Sequence, residues 1–550
     1  MNGAQALIRT LVDAGVTTCF TNPGTSEMHF VAALDSAPEM RAVLALFEGV
    51  ATGAADGYAR MTDKPGATLL HLGPGLGNGL ANLHNARRAK VPIVNIVGDH
   101  ATYHRRYDAQ LQSDIETVAR NVSGWVRTSE RTPDLGRDAV EAIAASQGPP
   151  GQIATLILPA DVSWTDGAEP ARPQAPAAPP KATPETVDAI AKTLRNGKPA
   201  ALLLGGRALR GDALMTAGRI SAATGAKLLT EVFPTRFERG QGLPAPERLA
   251  YIPELAAVQL SGLQHLILVD AKAPVSFFAY PGKESYLVPD GCEVHELASP
   301  ASDVLGSLEA LVAALGAAGS QPELQPVTRP AHPDGILTAE KACQAIGALL
   351  PEGAIVSDES NTAGATLTAS TAGAPRHDWL ALTGGAIGQG LPVAVGAAVA
   401  CPDRSVFALE ADGSSLYTIQ SLWTMAREQL DVTVMIFNNR SYAILNMELA
   451  RVGAQSTGPK AKEQLDLTRP NVDFVQIGNA FGVPSRRADT AEELIAAMRQ
   501  ALGEPGPHLI EMVVPSMFTP MQLRAMPYAL KALGKLPRPL AAAVKRRIYP

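Results

Sequence analysis

Short apolar runs separated by amphipathic stretches recur along the whole chain, and that alternation restricts the fold more than any other feature. ATLLHL, VPIVNIVGD and ATLILPA stand in the first part, AALLLGG and LQHLILVDA in the middle, and AIVSDE, SVFALEADG, VTVMIFNN and HLIEMVV in the last. Their apolar cores are strand-length and often β-branched, and few show the polar alternation of a half-exposed strand. Buried parallel strands read this way, with the amphipathic stretches as crossover helices. The expected fold class is α/β, with three doubly wound parallel-sheet domains.

Two proline-rich stretches divide the runs. Residues 166–185 contain PARPQAPAAPPKATPE, and residues 316–333 read GAAGSQPELQPVTRPAHP. Proline at that density favours extended, solvated backbone. The predicted domains are therefore 1–165, 184–316 and 334–515, with 516–550 as a C-terminal tail or lid. A chain of 550 residues has room for three or more such units.

Composition excludes several classes of function. A net charge of −6 leaves no basic footprint for nucleic acid, and 5% aromatic residues leave little for base stacking. The four cysteines, Cys19, Cys292, Cys343 and Cys401, lie far apart with no CxxC pair, which argues against a zinc site or a disulfide framework. Reduced thiols and a cytoplasmic location are expected. Met1–Ala14 carries Arg9 and no long apolar core, so no signal peptide is expected. The apolar run after Leu391 is rich in alanine and glycine and ends at Pro402. It reads as a buried helix and not as a membrane span.

The two ends of the chain share a local pattern. Gly73, Gly77, Gly79 and Leu80 recur as Gly384, Gly388, Gly390 and Leu391, each set followed by an alanine-rich stretch and then a strand. Two related domains are one explanation; convergence of glycine-rich turns is the other.

The sharpest chemical signal lies in the last third. SVFALEA runs into Asp412-Gly413-Ser414, and VTVMIF runs into Asn438-Asn439. Ligands of open α/β sheets collect outside the carboxyl ends of strands. An aspartate, an amide oxygen from Asn439 and a loop carbonyl near Ser441 make a hard oxygen site suited to Mg²⁺ and diphosphate oxygens. Gly413 allows close backbone approach, and Ser414 is placed to open the next helix and donate to the diphosphate. Read singly, each motif is an ordinary turn. Together, 27 positions apart, Asp412 and Asn439 resemble the signature of thiamine-diphosphate enzymes, the family of benzoylformate decarboxylase, pyruvate decarboxylase, pyruvate oxidase and acetolactate synthase. The resemblance covers nearly the whole chain. One departure is Ala411, where the family usually has the first glycine of Gly-Asp-Gly.

The resemblance implies thiamine diphosphate and Mg²⁺ as cofactors and a set of residues that hold them. Asn361 and Thr362 of ESNT are implied donors to the diphosphate, and Tyr417 adds a hydroxyl. Gly384–Gly388 would hold the bend of the cofactor, with Ile387 beneath it and the Gly385 carbonyl accepting from its exocyclic amine. Glu48, in LALFEGVATG, falls where related enzymes place the glutamate that bonds the pyrimidine ring nitrogen. In the family that glutamate comes from one subunit and the metal site from another. A homodimer is therefore the implied minimum active unit, and a homotetramer is common.

The substrate side most resembles benzoylformate decarboxylase, and then departs from it. Asn22–Glu27 reads NPGTSE, and Thr25 stands where that enzyme's serine touches the substrate carboxylate. His71 stands at a catalytic histidine of that enzyme, and an acid–base role suits it. That enzyme's second histidine, in the middle domain, has no counterpart; Phe277, Phe278 and Ala279 occupy the neighbourhood. Glu448 falls one helical turn from Ile444 and either faces the pocket or points to solvent. His100, His104, Arg105 and Arg106 form either a proton-donating, carboxylate-binding loop or a solvated one.

These features imply a thiamine-diphosphate-dependent 2-oxo-acid decarboxylase, a lyase with possible carboligase activity and a small-molecule 2-oxo acid as substrate. An acetolactate-synthase-type carboligase and a catalytically silent thiamine-diphosphate-binding protein are the alternatives. Phe47-Glu48-Gly49 differs from the His-Glu-Gln of acetolactate synthase, and the middle stretch FPTRFERGQGLP resembles the flavin-free pattern, so no FAD is expected.

Overall fold

The computed structural model describes residues 1–454 and 458–516, together with isolated positions between 528 and 544. The apolar runs form three separate parallel sheets with helices on both faces. The first sheet holds β1 (Thr18–Asn22), β2 (Arg41–Leu44), β3 (Gly66–Leu70), β4 (Ile93–Asp99), β5 (Trp125–Thr128) and β6 (Ile153–Pro159). Every residue of β3, β4 and β6 is buried, as a sheet covered on both faces requires.

The middle stretch contributes β7 (Ala200–Leu204), β8 (Lys227–Thr230), β9 (Phe237–Arg239), β10 (Glu247–Arg248), β11 (His265–Val269) and β12 (Glu293–Ala298). Its sheet runs β10-β8-β7-β11-β12. β9 is left out of it. It crosses to the third sheet and pairs antiparallel with β14, with Phe237 opposite Trp379. An uncovered β14 edge would present free backbone groups, and β9 covers it. A strand inside the stretch expected to be self-contained thus belongs to its neighbour.

The third sheet holds β13 (Ile355–Glu359), β14 (His377–Ala381), β15 (Val406–Ala411), β16 (Val432–Asn438), β17 (Ser485–Ala488) and β18 (His508–Val513). Counted within its own sheet, the strand order is 2-1-3-4-6-5 in the first sheet and the same in the third, with β9 added beyond strand two. The two ends of the chain are therefore topological repeats.

The local glycine pattern aligned the wrong pieces of that repeat. Gly73 follows the third strand of its sheet, whereas Gly384 follows the second strand of its own. The true counterpart of the buried helix Gly390–Ala400 is the helix Glu48–Thr62, and the two pack face to face. Their backbones nearly touch. A Cβ on Gly57 would lie 2.1 Å from the Val393 carbonyl oxygen, and one on Gly396 would lie 1.9 Å from that of Ala54.

Among the described residues no helix is long and apolar enough to cross a membrane. Most of 516–550, expected as a tail or lid, lies outside the described residues. Leu536, Ala541 and Val544 pack around Ala250 and Leu255 of the middle stretch.

Candidate active site

Two sets of side chains gather at carboxyl ends of strands, one after the third and fourth strands of the third sheet and one after the first three strands of the first sheet. In the third sheet, β15 and β16 are neighbours with Ala411 opposite Phe437, so Asp412 and Asn439 emerge side by side. Asp412 is buried and accepts the Gly413 N–H at 2.8 Å and the Arg440 N–H at 2.5 Å. Burial pushes its carboxyl up to about 6, against the pull of those amides. Asn439 accepts the Ser441 N–H at 3.0 Å. The Ser441 carbonyl already accepts the Ala443 N–H at 2.8 Å, which leaves one lone pair free. Asn438 turns inward and donates to Glu511 at 2.7 Å, so only the second of the two asparagines joins the site.

Around this pair the helix begins two residues earlier than expected. Asp412–Ser415 is already helical with Ala411 at its N-cap, so Ser414 lies inside the turn and donates to the Ala411 carbonyl at 3.1 Å. Gly413 is required by the Tyr442 ring, which a Cβ there would meet at 2.5 Å. Tyr417 is exposed beside it. Asn361 follows β13 with φ 51°, and Thr362 sits half-buried next to it.

The turn 384–388 is held from several directions. Asn85 donates to the Ala386 carbonyl at 2.8 Å, and the His84 ring N–H reaches that of Gly384 at 3.2 Å. Asn82 and Thr418 both donate to the Gly388 carbonyl, at 3.1 and 3.0 Å. Arg60, fully buried and paired with Asp56, donates to the Ala381 carbonyl at 2.8 Å and to Thr383 at 3.0 Å. From below, Glu359 accepts the N–H groups of Gly388 and Gly390 at 2.7 and 2.6 Å. Burial pushes Glu359 up to about 7, and its neighbour Glu410 is raised further by burial and by Glu359. Among the described residues, no hydrogen bond reaches the carbonyl of Gly385, although both flanking carbonyls are satisfied. Gly385 itself has φ +75° and lies under the Phe277 ring, and Ile387 is half-buried beside it.

The second set gathers at the first sheet. Glu48 opens the helix Glu48–Thr62, is buried, and accepts from Asn78 at 3.0 Å. His71 is the N-cap of the helix Leu72–Ala89. Gly75 lies between them: a Cβ there would stand 3.0 Å from Glu48 Oε1 and 3.5 Å from His71 Cβ. His71 Nδ1 lies 2.8 Å from Oε2 of Glu27, a residue the sequence reading passed over in favour of Thr25. Gly24 has no room for a side chain because the His71 imidazole occupies that space, and Thr25 is exposed next to it. Burial raises the Glu27 carboxyl, opposed by the Gly24 N–H and by His71. The motif NPGTSE was the one visible sign of Glu27. Nothing local marks Asn82, Asn85 or Arg60, whose partners lie hundreds of residues away.

The remaining candidates divide. His100 has a buried Nε2 with no hydrogen-bond partner, and its ring stands 5.2 Å from that of His104. Arg105 pairs with Asp99 at 2.8 Å and Glu130 at 3.0 Å, whereas Arg106 is exposed and donates to the neutral Tyr107 hydroxyl at 2.7 Å. Glu448 does not point to solvent. It pairs with Arg451 at 3.1 Å and accepts from Tyr251 at 3.3 Å, in a network that ties the third domain to Glu254 and Tyr280 of the middle one. Phe233, Tyr251, Phe277 and Phe278 form an aromatic cluster beside it. Among the described residues no hydrogen bond or ion pair of this chain joins Glu48 or His71 to Asp412, Asn439 or Ser441.

The comparisons with known proteins agree with this geometry. Residues 1–119 match the thiamine pyrophosphate enzyme N-terminal TPP binding domain, and residues 362–512 match the corresponding C-terminal TPP binding domain. The chain is 61% identical to the Mycobacterium tuberculosis protein titled "Putative acetolactate synthase large subunit IlvX", over 94% of this chain and 100% of that one. It is 30% identical to a benzoylformate decarboxylase from Pseudomonas aeruginosa, over 90% of this chain and 96% of the relative. A thiamine diphosphate-dependent 4-hydroxybenzoylformate decarboxylase from Rhodococcus jostii shares the architecture with a TM-score of 0.81 at 25% identity, covering 94% of this chain and 99% of that chain. The parallel strand-end sites, the repeated sheet order and these relatives lead to one assignment: the chain belongs to the thiamine pyrophosphate enzyme family.

Proposed function

We propose that this protein is a thiamine-diphosphate- and Mg²⁺-dependent decarboxylase of a 2-oxo acid, with carboligase side activity, acting as a homodimer or a dimer of dimers. The observation that carries the decarboxylase reading is the Glu27–His71 pair set next to Glu48 around Gly75. It supplies an oriented acid–base group beside the glutamate that handles the cofactor's proton.

The residues fit the cofactor. The carbonyl of Gly385, left unbonded between two satisfied ones, is an acceptor that would take the cofactor's exocyclic amine. Asp412, Asn439 and the spare lone pair of the Ser441 carbonyl are an all-oxygen donor set for Mg²⁺. Thiamine diphosphate, when bound, supplies the carbon nucleophile and the electron sink for loss of CO₂. The protein's own residues do the rest. Glu48 would exchange a proton with the pyrimidine nitrogen, Asn78 holds the glutamate in place, and His71 would pass a proton at Nε2. Asn361, Thr362, Gly413, Ser414 and Tyr417 would hold the diphosphate end, Thr25 and the His100–His104 pair would face the substrate, and Ile387 would support the bend. Glu48 of one subunit would face Asp412 of its partner.

FAD is not expected in the middle domain. Its ligand crevice, at the carboxyl ends of β7 and β11, is filled by its own carboxylates. Asp270 accepts the Arg207 N–H at 2.7 Å, and a Cβ on Gly206 would meet that carboxylate at 2.2 Å. Glu231 stands beside it and is pushed up to about 7, chiefly by burial. A pyrophosphate there would meet two acids where it needs free amides.

The 61% identical relative favours a second reading, an acetolactate-synthase-type carboligase. Product analysis with thiamine diphosphate, Mg²⁺ and a panel of pyruvate, benzoylformate and longer 2-oxo acids separates the two. Decarboxylation gives an aldehyde and CO₂; carboligation gives a 2-hydroxy-2-alkyl-3-oxo acid. No CO₂ from any member of the panel would refute both.

A further inference from the structure

The middle domain carries a second cluster of ligand-type side chains, away from every strand end used above. At the amino ends of β11 and β12, His265 stands opposite Glu293 in the parallel register, and His295 follows two residues on, on the same face. His265 Nδ1 lies 3.3 Å from Glu293 Oε2 and 3.3 Å from His295 Nε2, and His295 Nε2 lies 3.7 Å from Glu293 Oε2. These three separations are long for hydrogen bonds, which centre near ~2.9 Å. They are close to the edges of a tetrahedron, which measure about 3.3–3.4 Å when metal–ligand bonds are ~2.0–2.1 Å.

We propose that His265, Glu293 and His295 form a transition-metal site that takes Zn²⁺, with a water in the fourth position. Two imidazoles and one carboxylate suit Zn²⁺ better than Mg²⁺ or Ca²⁺, which take oxygen ligands. The cysteine spacing that argues against zinc does not bear on a site without cysteine. The cluster has a closed side and an open one. His265 is buried, His295 is partly exposed and Glu293 is exposed, so an ion has an entry path and a solvent-facing position.

The next layer of contacts is present as well. Asn196 Nδ2 stands 3.0 Å from His265 Nε2, while its Oδ1 accepts the Lys198 N–H at 2.8 Å. In that state His265 carries its proton on Nδ1. Metal binding moves the proton to Nε2, and Asn196 meets it by turning its oxygen toward the ring. The Lys198 N–H it gives up is exposed and passes to water. An amide or carboxylate fixing a ligating histidine in this way is the usual companion of a metal site. The ion would pin the edge strand β12 to its neighbour β11.

The test uses the holoenzyme with saturating thiamine diphosphate and excess Mg²⁺, so that the cofactor site is filled. Equilibrium dialysis against Zn²⁺ with metal analysis is expected to show one Zn²⁺ per chain. His295→Gln should lose it, Glu293→Gln should bind at least about tenfold more weakly, and the Zn²⁺-induced rise in Tm should vanish in both. Glu293 and His295 are exposed enough for both variants to fold, which equal Tm values in chelator would verify. Equal Zn²⁺ uptake by wild type and His295→Gln, or none by wild type, would overturn the proposal.

Discussion

The Nδ1 of His71 lies 2.8 Å from the Oε2 of Glu27, a carboxylate sealed from solvent at the start of the chain's first sheet. The same oxygen also accepts the Gly24 N–H at 2.7 Å. The carboxylate therefore fixes the ring's tautomer and leaves Nε2 free. Gly98 leaves space for the other oxygen, which a Cβ there would meet at 1.6 Å.

Replacing Glu27 by Ala should lower kcat/KM by roughly 10²-fold, the low end of what a positioned acid–base group supplies. The pH dependence of kcat/KM should change, whereas affinity for thiamine diphosphate should not, because Glu27 faces the histidine and not the diphosphate end. Glu27→Gln keeps an oxygen for Nδ1–H and should recover part of the rate. Equal losses in the Ala and Gln variants, with an unchanged pH profile, would reduce Glu27 to a packing role.

Glu48→Gln keeps the bond to Asn78 in shape but removes the charge that passes a proton. Turnover should fall to near background while cofactor binding, followed by fluorescence quenching or calorimetry, stays within a few-fold. Undiminished turnover would remove Glu48 from the mechanism.

How much of this was legible in the sequence follows from distance along the chain. Asp412 and Asn439 stood out because strand-length runs end in them, and strand ends are where α/β sheets place ligands. Glu48 and His71 were visible through family resemblance. Glu27 sat inside a recognised motif but was eclipsed by Thr25, because no local pattern shows that a glutamate three residues after a turn faces a histidine 44 positions on. Asp56 and Arg60 look like an ordinary i,i+4 helix pair, and only the fold shows them buried against Ala381 and Thr383. The repeat was visible as glycine spacing, but glycines mark turns of any origin, so the spacing matched unlike turns.

Arg451 links the third domain to the middle one. It is almost fully buried, pairs with Glu448 and Glu254, and lies 3.9 Å above the Tyr280 ring. Arg451→Met should cost about 2 kcal/mol, because the part-buried Glu448 loses the cation it pairs with and Glu254 is left with Lys283. Adding Glu448→Gln should restore part of that loss. Thermal unfolding of the four members of the cycle measures the coupling, and simple additivity would mean that the pair is not coupled.

The repeated domains meet through glycine. Gly396→Ala would drive a methyl group into the Ala54 carbonyl, which is backbone and has no rotamer to yield. The helices Glu48–Thr62 and Gly390–Ala400 must then separate, at a cost of about 1–3 kcal/mol. Both Glu48 and the 384–388 turn ride on these helices, so cofactor affinity should fall as well. Gly503→Ala, where a Cβ meets nothing within 4 Å, is the control and should leave both Tm and affinity unchanged.

His377 gives the stability a pH dependence with a definite sign. It opens β14 and is buried, and its Nδ1–H donates to the Pro375 carbonyl at 2.7 Å while Nε2 has no partner. Burial first, then Arg239, pushes its pKa down to about 3. In the unfolded chain the ring titrates near ~6.5. Between those values the unfolded state takes up a proton that the folded state refuses, so the contribution to stability is complete above about 6.5 and is lost as pH falls toward 3. The slope approaches ~1.4 kcal/mol per pH unit. His377→Gln keeps a donor for the Pro375 carbonyl and removes the titration. Its Tm should decline less steeply than wild type on acidification from pH 6.5 to 4.5, with the two curves parallel above pH 7. Curves that stay parallel down to pH 4.5 would mean that the folded protein protonates this ring as readily as the unfolded chain does.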